Sequence, residues 1–100
     1  MTRYEVEVLE QDTELQLAEL CRVCNVSREL LIEWVNEGVV EPRGQAQWRF
    51  SVRQLARLRR ARRLQQDLEL ESHALPLILD LIEEVERLRN EVRVLRRLRD

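Results

Sequence analysis

Residues 15–50 read LQLAELCRVCNVSRELLIEWVNEGVVEPRGQAQWRF. Leu17, Leu20, Cys21 and Cys24 recur at helical spacing, which predicts a short helix from about Gln16 to Cys24. Asn25-Val26-Ser27 then interrupts the pattern. Asn tolerates the left-handed backbone on which helices end, and Ser is a strong cap for a helix that follows. Arg28 to Glu37 is that second helix, closed by Gly38. Val39 and Val40 leave it in extended form, and Pro42 prevents any return to helix. Gly44 then signals a turn ahead of Trp48, Arg49 and Phe50, and a small strand–turn–strand wing is the simplest reading. The stretch is a helix-turn-helix with a wing.

Working outward, residues 4–9 (YEVEVL) alternate Tyr4, Val6 and Val8 against Glu5 and Glu7, the pattern of a half-buried strand, and 10–14 form a polar connector. On the other side, Ser51 caps a third helix from Val52 to about Gln66. Val52, Leu55, Leu58 and Leu64 face its core, and arginines fill much of the remainder. Asp67 to Glu71 breaks the period, and Ser72 is placed to cap a further helix with Pro76 in its first turns. From Ile78 the spacing is heptad-like: Ile78, Val85 and Val92 at a, Leu81, Leu88 and Leu95 at d. About three heptads are marginal for a lone helix, so this stripe needs a partner, either a second chain or the rest of its own domain, and a homodimer through these six residues is expected. The chain therefore divides into an N-terminal strand and connector (1–14), a winged helix-turn-helix (15–66) and a C-terminal helical dimerisation segment (67–100). The fold class is mainly α.

One hundred residues, 44% apolar and 36% charged, suit one modest core built from amphipathic helices. No apolar run approaches the ~20 residues that span a bilayer, and no signal peptide is visible, so a cytoplasmic protein with no membrane partner is expected. Residues 1–50 hold ten carboxylates against five arginines; residues 51–100 hold nine against twelve. Every cation is Arg, a bias with no structural account. A dedicated DNA binder carries its basic surplus on the reading element, and here the surplus lies elsewhere.

Catalysis finds no support. Cys21 and Cys24 form a CxxC toward the end of a helix, not at the helix N-terminus that would acidify a thiol. The single His73 cannot complete a four-ligand zinc site with one cysteine pair. Packing of the two cysteines at the helix-turn corner is the expected role. His73 has no neighbouring nucleophile to activate, and no Gly-rich phosphate loop is present. Neither an enzyme, a cofactor, a metal nor a small-molecule substrate is expected.

The order helix–turn–helix–wing–helix–helix, with VSRELLIEWVNEGVVEP followed by WRFS, resembles the MerR type of winged helix-turn-helix over roughly residues 15–82. The chain is also similar over nearly its whole length to the chaperone modulator CbpM family. The shared features are its size, the alternating segment 4–9, Cys21 in the first helix, Gly38-Val39-Val40-Glu41-Pro42-Arg43 and the leucine-rich tail 81–98. That resemblance implies a protein that binds the J-domain of the DnaJ-like co-chaperone CbpA. Such binding suppresses both the co-chaperone's stimulation of DnaK and its DNA binding.

Residue by residue, the second helix favours a protein partner over DNA. At about 100° per residue, Leu30, Leu31, Trp34 and Val35 fall within an arc of about 140°, the core face. Opposite lie Glu29, Ile32, Glu33 and Asn36, with Glu37 at the margin. MerR-type readers carry Arg and Tyr there, whereas carboxylates would repel phosphates. The same face suits a basic J-domain helix, with Glu29, Glu33 and Glu37 supplying opposite charge and Ile32 an apolar anchor. The alternative is a MerR-like DNA-binding transcriptional regulator using Arg57, Arg59, Arg62 and Arg63 of the third helix with Arg49 of the wing. Against it, these arginines are expected to be solvated or paired intramolecularly with the acidic N-terminal half.

Overall fold

The computed structural model describes residues 14–99 and is mainly helical, with one short two-stranded sheet. Strand β1 (Glu14–Gln16) leads into α1 (Leu17–Cys24); α2 (Arg28–Glu37) follows after a three-residue turn. Strand β2 (Arg49–Ser51) precedes α3 (Val52–Leu68), and a 3-10 turn (Ser72–Ala74) opens α4 (Leu75–Arg99). This is the winged helix-turn-helix expected from the sequence. The alternating segment 4–9 lies outside the described residues.

The junctions follow the capping chemistry. Asn25 adopts the left-handed conformation (φ 53°), and the Val26 N–H reaches back to the Cys21 carbonyl at 3.1 Å. The Ser27 hydroxyl accepts from the Leu30 N–H at 3.0 Å, and the Ser51 hydroxyl from Gln54 N–H at 3.3 Å. Gly38 takes φ 83° at the end of α2, letting the Val39 N–H close on the Trp34 carbonyl at 2.8 Å.

Three local expectations are corrected. Glu14, read as connector, and Gln16, read as the helix start, belong with Leu15 to β1, which pairs antiparallel with β2 (Leu15 opposite Phe50). The wing is correspondingly reduced: β2 finds its ladder partner in β1, and only an Arg43–Arg49 bridge closes the hairpin, with two backbone hydrogen bonds of 2.7 and 3.0 Å. Pairing with β1 gives Phe50 a fully buried site, which a free-standing two-stranded wing could not supply. Ser72 does not cap α4. Its hydroxyl instead accepts the indole N–H of Trp34 at 3.0 Å.

The core is one cluster drawn from every helix: Leu20, Val26, Leu31, Trp34, Val39, Val40, Phe50, Leu58, Ala61, Leu75 and Leu79. Cys21 and Cys24 pack against its edge at the helix-turn corner, as free thiols. Trp34 is its largest buried side chain. Beyond Leu79, α4 runs on for a further twenty residues, about 30 Å of helix. No helix among the described residues is long and apolar enough to cross a membrane.

A buried indole N–H without a partner costs about 1–3 kcal/mol. Ser72→Ala is therefore expected to destabilise the fold by about 1–2 kcal/mol. Trp34→Phe costs core packing of its own, but with the N–H gone the double variant should lose less than the two single losses added together. Urea unfolding of the two single variants and the double variant measures both.

Candidate functional site: the outer face of the second helix

α2 is amphipathic because its apolar residues occupy one arc, and burial follows that arc: Leu31 and Trp34 are fully buried, Leu30 and Val35 half-buried against them. The outward residues Glu29, Glu33, Asn36 and Glu37 are all exposed, and Ile32 is half-buried. Glu29, Glu33 and Glu37 recur at intervals of four and share one side of the helix, giving an acidic stripe with an aliphatic neighbour. The structure thus brings the five proposed partner-binding residues onto one accessible surface.

Beside this stripe lies a second line of residues, of which the sequence pointed only to Ile32. Arg28 and Ile32, four apart, line a groove of about 500 Å³ between α2, the start of α1 and the tip of the wing. Leu17 and Trp48 contribute its apolar walls, and Gln45 and Gln47 its rim. Ile32 is absent from the side chains packed on the core, so its half-burial comes from this groove. Trp48 is held edge-on to Phe50 with ring centres 6.4 Å apart. The wing tip needs a glycine: Gly44 has φ 82°, and a Cβ there would lie 2.7 Å from the Gln47 carbonyl oxygen. Only the 28/32 spacing hinted at this line, because the wing comes from elsewhere in the chain.

The third-helix arginines are committed differently from the expectation. Arg57, with 11% of its side chain exposed, donates to the Val39 carbonyl at the end of α2 and forms ion pairs with Asp80 at 2.9 Å and Glu83 at 3.0 Å. Arg60 makes a two-pronged pair with Glu86. Their partners lie on α4, not in the acidic N-terminal half, because α4 packs alongside α3 and presents its carboxylates at i, i+3 and i+6. Arg53, Arg59 and Arg63 remain exposed.

Burial pushes both cysteine thiols up from their ordinary range, against the opposing pull of Arg28 on Cys21 and Arg59 on Cys24. They are protonated at neutral pH and poorly suited to nucleophilic or redox work. His73 is exposed in the 3-10 turn, its Nδ1 3.3 Å from a Glu71 carboxylate oxygen.

The six heptad residues lie along one side of α4. Ile78 is half-buried, while Leu81, Val85, Leu88, Val92 and Leu95 are 45–64% exposed. Leu77 and Leu98 are exposed as well.

This architecture defines a helix-turn-helix protein of the MerR class, and the family model described as MerR HTH family regulatory protein matches residues 15–97. Among curated relatives, the chaperone modulatory protein CbpM of Pseudomonas entomophila is 42% identical over 80 residues, covering 78% of this chain and 79% of its own length. The protein of the same name from Pseudomonas putida is 39% identical, covering 83% and 84%; that from Coxiella burnetii is 30% identical, covering 90% and 87%. The chain belongs to the CbpM family of chaperone modulatory proteins.

The bond to Arg60 holds the Glu86 carboxyl below its usual range and raises the Arg60 guanidinium. A depressed carboxylate contributes stability that is complete above the usual carboxylate range and lost as pH falls through the depressed value. Glu86→Gln is accordingly expected to melt below wild type at pH 7. The gap should close as pH falls below about 4, in thermal melts at low salt.

Proposed function

We propose that this protein is a chaperone modulator that binds the J-domain of a DnaJ-like co-chaperone of the CbpA kind. In this reading it suppresses the co-chaperone's stimulation of DnaK and its DNA binding. Family membership supports the chaperone-modulating role. The observation that carries the choice of surface is the outer face of α2, where Glu29, Glu33 and Glu37 stand exposed in the position a DNA reader would fill with cations.

The physical case is charge complementarity with an apolar anchor. A basic helix laid along the three glutamates gains from opposite charge in encounter and register, and Ile32 and Asn36 supply a contact that excludes water. Inhibition then needs only that the occupied J-domain surface overlaps the one DnaK uses; no conformational switch is required. The DNA-binding alternative is the weaker reading, because α2 presents glutamates outward and Arg57, one of the arginines it would need, already has carboxylate partners on α4.

The stripe of half-buried Ile78 and exposed Leu81, Val85, Leu88, Val92 and Leu95 supports a homodimer. A helix carrying that much apolar side chain beyond the core is stabilised by a second copy, and branched residues at a with Leu at d suit a two-stranded pairing. Dimerisation would place two acidic faces in one assembly.

Two measurements test this reading. Wild-type protein should bind a cognate J-domain and reduce J-domain-stimulated ATP hydrolysis by DnaK, whereas Glu33→Arg should bind at least tenfold more weakly in calorimetric titration. A wild type without detectable binding would sink the assignment, and equal binding by the variant would discard this interface. Separately, sedimentation equilibrium at micromolar concentration should give a dimer for wild type and a monomer for Val85→Glu. A monomeric wild type would remove the dimer.

A further inference from the structure

The groove beside the acidic stripe has the opposite electrostatic character, and this difference singles out a second kind of contact. Arg28 is the only charged side chain lining it, and no carboxylate does. Arg28 forms no ion pair among the described residues, in contrast to Arg57 and Arg60. The apolar floor is already assembled: Leu17 and Trp48 rest on the core, and Ile32 lines the same groove without being among the side chains packed on the core. Around the helix, Arg28 and Ile32 are centred about 120° from the glutamates, so the groove adjoins the acidic stripe and Ile32 stands at their shared border.

Resting on the J-domain reading above, we propose that this groove is the second half of the partner-binding surface. It receives an extended segment of the bound protein that presents an apolar side chain beside a carboxylate. The apolar side chain sits on Ile32 and Trp48, the carboxylate pairs with Arg28, and Gln45 and Gln47 offer amide donors and acceptors to the segment's backbone. The partner is thereby recognised by two charges of opposite sign in fixed order: basic residues on Glu29, Glu33 and Glu37, then an acid at Arg28. A merely basic helix satisfies only the first. This arrangement gives specificity that a uniform acidic patch cannot, because a wholly basic competitor is repelled at Arg28.

Arg28→Glu separates the two possibilities. The substitution is at the first residue of α2, where a carboxylate favours the helix, so folding should be preserved. If the face is only an acidic patch for a basic partner, added negative charge tightens binding. If the groove takes a carboxylate, binding weakens. Calorimetric titration with a cognate J-domain lacking tryptophan should show Arg28→Glu at least tenfold weaker than wild type and Arg28→Lys within a few-fold of it. Trp48 emission should shift to the blue on saturation, Trp34 being fully buried already. Unchanged or tighter binding by Arg28→Glu, or unshifted emission on saturation, overturns the groove while leaving the acidic stripe in place. Absence of wild-type binding overturns the J-domain reading and the groove's occupant together.

Discussion

The indole of Trp34 is the constraint on which this structure turns. It is the largest side chain in the core, and it projects from the helix whose other side faces the proposed partner. Burying so much apolar surface fixes the rotation of α2 about its own axis. Burying an N–H with it requires an acceptor, which Ser72 supplies from 38 residues away. One side chain thus fixes which residues of α2 face outward and draws the start of α4 onto the same core. Leu75 and Leu79 complete that attachment.

Arg57 reinforces the arrangement from the next helix. By donating to the Val39 carbonyl and pairing with Asp80 and Glu83, it joins the end of α2 to α4 through α3. Because its guanidinium is largely sheltered, the pairs feel less solvent screening than those along the outer part of α4, such as Arg87 with Glu84 and Glu91. The consequence for function is electrostatic. Arg57, one of the cations a DNA-binding reading would use, is spent on holding the fold, and the outer face of α2 carries glutamates in place of cations.

The wing shows how a small change of pairing reshapes a site. β2 is taken by β1, which leaves the hairpin closed by a single bridge at Arg43 and Arg49. With Gly44 permitting the tight turn, Gln45 to Trp48 lean over the start of α2 instead of extending away as a full ribbon. The groove exists because of that geometry. Its walls come from three separated segments, so no local pattern marks it.

By itself the sequence determined the elements whose causes are local. Asn25, Ser27, Gly38 and Ser51 set helix ends through backbone and capping preferences that act within a few residues, and the helical period of Leu30, Leu31, Trp34 and Val35 identified the buried face and hence the exposed glutamates. The heptad stripe was legible for the same reason. Only the tertiary structure decided the matters that depend on which distant segments meet: that β2 pairs with β1, that Ser72 answers Trp34 instead of capping a helix, and that Arg57 and Arg60 find their partners on α4. Each is a choice among several equally competent donors, acceptors or strand edges. Such choices are settled by the shape of the whole core, which brings one candidate within hydrogen-bonding distance and leaves the others in water.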